Sequence, residues 1–205
     1  MVARIYAVAR YTFIENLRNK IFFILIFFTL IAFASALLFS VLGQEEEQRL
    51  LRDTGWLVIE LFSLTTAIYA GVTLLLEELQ TKTIYFILTR PVRRMEYLIG
   101  RYCGILLAVG LSSLVMLIIH SLLIFVRVHN VAAGEQLLML FCLTGKISII
   151  LSVAFFFALF STSAVSSLSF TLFFWILGHL SEELKFFVEK ANNPVGAAVS
   201  QFIYY

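Results

Sequence analysis

The chain has 205 residues, of which 61% are hydrophobic and 14% charged, and its formal net charge is +2. A soluble domain carries about 25% charged residues, so this composition excludes one water-surrounded core: too few polar side chains exist to cover its outside. With 21 Phe and two Pro, and a mean hydropathy of +0.96, the protein belongs in a membrane.

The small net charge is spread between hydrophobic runs, which argues against a nucleic-acid partner. Cys103 and Cys142 stand alone in apolar surroundings. Neither C-x-x-C nor Cys/His spacing is present, so no metal site or disulfide framework is expected. The first hydrophobic run is longer than a signal-peptide core and no small-residue cleavage pattern follows it, so it reads as mature structure.

Residues 1–20 are too polar to span a bilayer. On a helical wheel Val2, Ile5, Ala9, Phe13 and Leu17 share one side, while Arg4, Tyr11, Glu15 and Arg18 share the other. Arg10 is the main exception. The pattern predicts an amphipathic helix lying in the membrane interface, with a frayed extension of the first span as the simpler alternative.

A bilayer core of ~30 Å needs roughly 20 helical residues. That ruler selects Ile21–Gly43, Trp56–Leu76, Tyr102–Val126 and Leu137–Phe160, and a shorter run at Ala164–Leu180. Uninterrupted runs of this length exclude alternating barrel strands. The fold class is therefore all-α, a polytopic transmembrane helical bundle. Of the 15 Lys and Arg, nine lie before the first span or between the second and third. These are Arg4, Arg10, Arg18, Lys20, Lys82, Arg90, Arg93, Arg94 and Arg101; Arg49, Arg52, Arg127, Lys185 and Lys190 lie on the opposite side. The excess of positive charge predicts a cytoplasmic N-terminus.

Between the second and third spans, Glu77 to Arg101 reads EELQTKTIYFILTRPVRRMEYLIGR. Glu77–Leu88 is predicted to continue the second span as a helix, with Glu78 and Lys82 spaced for an i,i+4 ion pair. Pro91 ends that helix, because the residues before a proline are pushed out of helical geometry. It also suits the first turn of the next helix. Thr83, Ile84, Phe86, Ile87 and Leu88 make an apolar knob rimmed by charge. Two readings remain open: insertion into a groove on a partner protein, or contact with the bilayer surface beside the basic residues.

The order Glu-Glu, Thr, an apolar hexamer, Pro then Arg, and Glu with Gly-Arg at the next span resembles the cytoplasmic loop of permease subunits of ATP-binding-cassette exporters of the second class. It is carried by Glu77, Glu78, Thr83, Pro91, Arg93, Arg94, Glu96, Gly100 and Arg101. Lys82 departs from the pattern, since the family often has Gly before the Thr. The basic N-terminal helix, the STS turn after the fourth span and the NNPVGAAVSQFIYY segment extend the resemblance over essentially the whole chain.

The resemblance implies one permease domain over 1–205, with an interfacial helix at 1–20, a coupling loop at 77–101 and an external segment at 181–205. It also implies a sixth helix, so the chain reads as interrupted at Tyr205. The implied partners are a cytosolic ATP-binding subunit, a second permease copy and lipid, in a prokaryotic plasma membrane. The implied coupling residues are Glu77, Glu78, Thr83, Ile84, Phe86 and Ile87, followed by Pro91, Arg93, Arg94 and Glu96. ATP and Mg²⁺ would sit on the partner. This chain has no G-x-x-x-x-G-K-[ST], and its nearest match, Thr144 to Ser148, lies inside a span. No cofactor, metal or catalytic residue is expected on the chain itself.

Polar groups inside spans are candidates for a substrate path: Glu60, Ser63, Thr66 and Tyr69 on the second span, and Ser166 and Ser169 on the fifth. Glu60 also suits a carboxylate that snorkels to the outer interface, which is the preferred reading. Lys146 on the fourth span poses the same choice. The small residues of Ser161–Thr171 read first as close helix packing. A rival from another class is a haem-binding membrane anchor of an electron-transfer complex, with His120 and His179 as the ligands. It leaves the loop unexplained. An intramembrane enzyme lacks convergent nucleophile, base or metal motifs.

Overall fold

In the computed structural model the described residues are 2–19, 27, 30–31, 33–34, 47–81, 93–128, 133–161 and 163–190. They form α1 (Val2–Arg18), α2 (Glu47–Gln80), α3 (Arg94–Val128), α4 (Ala133–Phe160) and α5 (Ala164–Lys190). No strand occurs among the described residues, and the protein is an all-α helical bundle. Among the described residues three stretches are long and apolar enough to cross a membrane, Arg52–Glu78, Arg94–Phe125 and Gln136–Phe160, and Ala164–Leu180 is a shorter apolar helix. Of the first predicted span, Phe27, Leu30, Ile31, Phe33 and Ala34 are described, and they are helical.

The helices outrun the apolar segments that announced them. α2 starts at Glu47 and not at Trp56, because EQRLLRDT holds good helix formers and neither Gly nor Pro. Glu60 stays about one turn, roughly 6 Å at 1.5 Å per residue, past Trp56, where the apolar sequence begins.

The core is made by α2, α3 and α4. From α4, Leu143, Ile147, Leu151, Ala154 and Ala158 are buried, and their spacing of three and four marks one helical stripe. Ile59, Leu64, Ala67, Val72 and Leu75 of α2 meet them, with Ile105, Val109 and Met116 of α3. At Gly71 the α2 backbone comes close to α4: a Cβ there would lie 2.8 Å from Leu151 Cδ1 and 3.4 Å from Ala154 Cβ. Gly71→Leu is therefore expected to wedge the two helices apart at a cost of about 1–3 kcal/mol. Thermal melting of the detergent-solubilised protein checks this, and an unchanged Tm would contradict the packing.

Hydroxyls knit the helices where lipid offers no partner. Tyr102 of α3 donates to the Ser148 carbonyl of α4 at 2.8 Å, and its hydroxyl lies 2.6 Å from Ser148 Oγ. Ser167 of α5 is buried and its Oγ donates to the Phe157 carbonyl at 3.2 Å. Thr171, also buried, donates to the Ser167 carbonyl at 2.8 Å. Of the small-residue stretch, these two positions face inward.

Candidate functional site

Two charged constellations among the described residues come from different parts of the bundle. The first joins α1 to the start of α3. α1 is amphipathic as its sequence predicts, but the stripe it buries runs through Ala9, Thr12 and Asn16, beside the apolar line of Ile5, Phe13 and Leu17. Close approach selects this stripe. A Cβ on Gly104 would fall 2.6 Å from the Ala9 carbonyl oxygen and from Thr12 Cβ, and one on Gly100 would fall 2.7 Å from Val8 Cβ. Gly100 and Gly104 form a G-x-x-x-G pair, a spacing that lets two helix backbones touch. The buried polar groups on this stripe are satisfied within α1: Thr12 Oγ1 donates to the Val8 carbonyl and Asn16 Nδ2 to the Thr12 carbonyl, each at 2.9 Å.

Between the two glycines stands Arg101, whose side chain is 3% exposed. Its guanidinium pairs with Glu15 of α1 and with Glu78 at the end of α2. Nη1 also donates to Thr12 Oγ1 at 3.2 Å, and Nε donates to the Tyr97 hydroxyl at 3.0 Å. Tyr97 in turn donates to the Glu78 carboxylate. The rings of Tyr11 and Tyr97 flank the guanidinium, with centroids 5.6 and 5.7 Å from Cζ, within cation–π range. A planar fork with five donors suits this geometry, in which one cation touches three helices.

Of the residues flagged around the loop, Glu78 is thus turned toward Arg101; Lys82, its expected i,i+4 partner, lies outside the described residues. Glu77 is exposed and lines a cavity of about 400 Å³ between α1 and α2, together with Tyr11, Glu15 and Arg18. α2 remains helical to Gln80, and Thr81 closes its end with an N–H donated to the Glu77 carbonyl at 2.9 Å. Glu96 is buried at the third position of α3 and accepts from the Arg93 N–H at 3.1 Å, half of a capping box. Arg4 of α1 lies 4.0 Å from the same carboxylate. Arg93 and Arg94 are exposed. Thr83, Ile84, Phe86, Ile87 and Pro91 lie outside the described residues.

The second constellation lies within the apolar part of the bundle. Glu60 of α2 and Lys146 of α4 form an ion pair at 3.0 Å, with side-chain exposures of 30% and 50%. Both border a partly open cavity of about 300 Å³ between α2, α4 and α5, walled by Ile150, Val153, Phe174 and Trp175 and reached by His179. The predicted path residues do not all converge on it. Ser63 is buried and its hydroxyl has no hydrogen-bond partner among the described residues. Thr66 is buried and donates to the Phe62 carbonyl at 2.6 Å. Tyr69 and Ser166 are half-buried, and Ser169 is exposed and donates to the Val165 carbonyl at 2.8 Å.

The family profile described as ABC-2 family transporter protein matches residues 16–178. The chain belongs to this family. It is a permease subunit of an ABC transporter and an integral membrane protein, and subunits of this family associate in general with an ATP-binding subunit. No curated protein matches the chain. The matched stretch holds Arg101, Tyr97, Glu78, Glu60 and Lys146, whereas Thr12 and Glu15 precede it and His179 follows it.

In this permease His120 and His179, the two candidate haem ligands, pack against different residues. His120 is buried, stacked on Phe33 with centroids 5.6 Å apart and set edge-on to Trp56 at 6.3 Å, in space that Gly55 leaves open. His179 is exposed and stacks on Trp175 at 6.0 Å. Two features escaped the sequence reading. The Arg101 node had a signal, the sequence Gly-Arg-Tyr-Cys-Gly at 100–104, whose glycines announce a helix seated over the arginine. The Glu60–Lys146 pair had none, because its members come from different helices.

Proposed function

We propose that this permease is the membrane half of an ATP-driven exporter, coupled through residues 77–101 to a separate cytosolic subunit that binds ATP and Mg²⁺ and hydrolyses ATP. The observation that carries the reading is the Arg101 node. Glu78 lies in the last turn of α2, and Tyr97 and Arg101 lie in the first turns of α3, so the intervening loop is strung between two elements that one buried guanidinium clamps to each other and to α1. A push on such a loop moves the ends of three helices as one body instead of dissipating in a hinge. In this reading the N-terminus is cytoplasmic, the membrane is a prokaryotic plasma membrane, residues 1–205 form one permease domain, and two permease copies work with two ATP-binding subunits. ATP-driven closure of those subunits biases a two-state membrane dimer. The permease itself is non-catalytic.

The apolar knob then docks in a groove of the ATP-binding subunit. Replacing Ile84, Phe86 or Ile87 with Asp is expected to abolish co-purification of that subunit while the chain still inserts into membranes. Each substitution places a charge in an apolar contact, where an uncompensated carboxylate costs several kcal/mol, on the order of 10²-fold or more in affinity. Undiminished co-purification with all three variants would refute the docking role and leave the knob to the bilayer surface.

A further inference from the structure

We propose that the cavity between α2, α4 and α5 binds a zwitterionic amphiphile, its two opposite charges laid against Glu60 and Lys146 and its apolar body against Phe174 and Trp175. The inference rests on the transport reading in one respect, that the bound amphiphile is cargo; the binding site itself stands on the geometry of the cavity.

Position is the first argument. Lys146 lies about 15 Å inside the apolar stretch that begins at Gln136, and Glu60 about 6 Å past Trp56, at 1.5 Å per residue. Both thus lie inside helices that are long and apolar enough to cross a hydrocarbon layer ~30 Å thick. An ionisable side chain is costly there, and its presence marks a pathway more often than a scaffold.

Incomplete satisfaction is the second. Arg101 is 3% exposed and bonded to Glu15, Glu78, Thr12 and Tyr97, whereas the cation of the second pair, Lys146, is 50% exposed and, with Glu60, lines the cavity. Among the described residues, each is the other's one hydrogen-bond partner. An ammonium has three donors and a carboxylate has room for about four hydrogen bonds, so most of the pair's bonding capacity is left over, and both residues line the cavity.

Charge then selects the ligand. Glu60 and Lys146 together are neutral. A guest with net charge would leave one charge uncompensated in a low dielectric, which is the costly outcome. A guest carrying both charges, set antiparallel to the pair, gives every charge an opposite neighbour. Trp175 and Phe174 add aromatic faces for its cationic group and apolar body, and Ile150 and Val153 complete the wall. A cavity of about 300 Å³ is at the small end of ligand-site volumes, about 300–1,000 Å³, and fits a head group with the first part of a chain.

The test uses the full chain carrying Trp56→Phe, so that Trp175 is the fluorophore, purified in dodecyl maltoside micelles. Three amphiphiles with the same tail are titrated: dodecyl dimethylglycine with a zwitterionic head, laurate with an anionic one and dodecyltrimethylammonium with a cationic one. Quenching or shift of Trp175 emission is expected to show the zwitterion binding about tenfold more tightly than either charged homologue. Glu60→Gln is expected to turn the preference to laurate and Lys146→Met to dodecyltrimethylammonium. The exchanged pair, Glu60→Lys with Lys146→Glu, should restore the zwitterion preference, which keeps the test valid if a single variant folds poorly.

Equal binding of all three heads, or a preference indifferent to the substitutions, would overturn the proposal. Repeating the titration in phosphatidylcholine bilayers identifies the source of the ligand. Weakened dodecyl dimethylglycine binding there means that a lipid head group occupies the cavity, and unchanged binding means a free amphiphile; both outcomes support the site. No ATP-binding subunit is present in the assay, so its failure leaves the coupling proposal standing, and the reverse also holds.

Discussion

Replacing Arg101 with alanine is expected to release α1 from the bundle and to cost about 3–5 kcal/mol, the range for removing one partner of a buried ion pair. The magnitude follows from what is left behind. Glu15 is 33% exposed and can recover some hydration, but Glu78 is 14% exposed and would keep its charge beside a tyrosine hydroxyl with the cation gone. Thr12 would lose its donor from the guanidinium, and Tyr11 the cation it faces. α1 has 17 residues, near the length at which an isolated helix is marginal in water, so a released α1 also loses its helix.

Hydrogen exchange on the protein in lipid nanodiscs reads this directly. Amides of Val2–Arg18 should exchange on the order of 10²–10³-fold faster, while the α2–α4 core keeps its protection. Arg101→Lys retains the charge but not the planar fork, and should fall between the two because an ammonium cannot serve Glu15, Glu78 and the Tyr97 hydroxyl at once. Unchanged exchange in α1 for Arg101→Ala would mean that the glycine contact alone holds the helix, and the case for a rigid coupling node would fall with it.

The contrast between the two ion pairs clarifies why a lipid-embedded bundle holds both. Arg101 is enclosed, flanked by rings and bonded to three helices, an arrangement that holds elements in register. Glu60 and Lys146 are presented to a cavity, with bonding capacity left over. In the proposed mechanism the first geometry receives force from the ATP-binding subunit and the second receives the amphiphile.

The all-α class, four of the apolar runs and the family were legible in the sequence because each depends on local composition and order. Runs such as Leu137–Phe160 announce themselves to any hydropathy ruler. What such a ruler cannot give is which face turns inward. α4 buries Leu143, Ile147, Leu151, Ala154 and Ala158, yet its outer face carries Phe141, Ile149, Phe156 and Phe160, just as apolar. Lipid and core accept the same residues, so the pattern carries no contrast. α1 shows the complementary difficulty. Its contrast is clear, but the buried stripe was set by Gly100 and Gly104 on another helix, which favour proximity over hydrophobicity and draw in Thr12 and Asn16.

Glu60 and Lys146 are each visible in the sequence as a charge within an apolar run. No hydropathy ruler joins two residues on different helices, and the structure does: Glu60 and Lys146 form an ion pair at 3.0 Å and line one cavity. The choice between a cavity and an interface therefore concerns the pair and not one carboxylate.

Gly104→Val is the second variant with a large expected effect, and its value lies in how it combines with the first. The added Cβ would start 2.6 Å from a carbonyl oxygen of α1, and a backbone atom cannot swing aside as a side-chain tip can. Overpacking of this kind costs about 1–3 kcal/mol and pushes α1 away from Arg101, so the ion pair to Glu15 and the hydrogen bond to Thr12 are stretched by the same displacement. The two lesions therefore share one final state, a permease with α1 detached. Their effects should not add: once Arg101→Ala has released the helix, Gly104→Val has nothing left to displace. A double-mutant cycle on the same hydrogen-exchange readout should give an interaction energy of about 0.5–3 kcal/mol, the range for residues that share a contact. Strict additivity would show that the glycine contact and the guanidinium hold α1 independently, and the loop would then transmit force to α3 without passing it to α1.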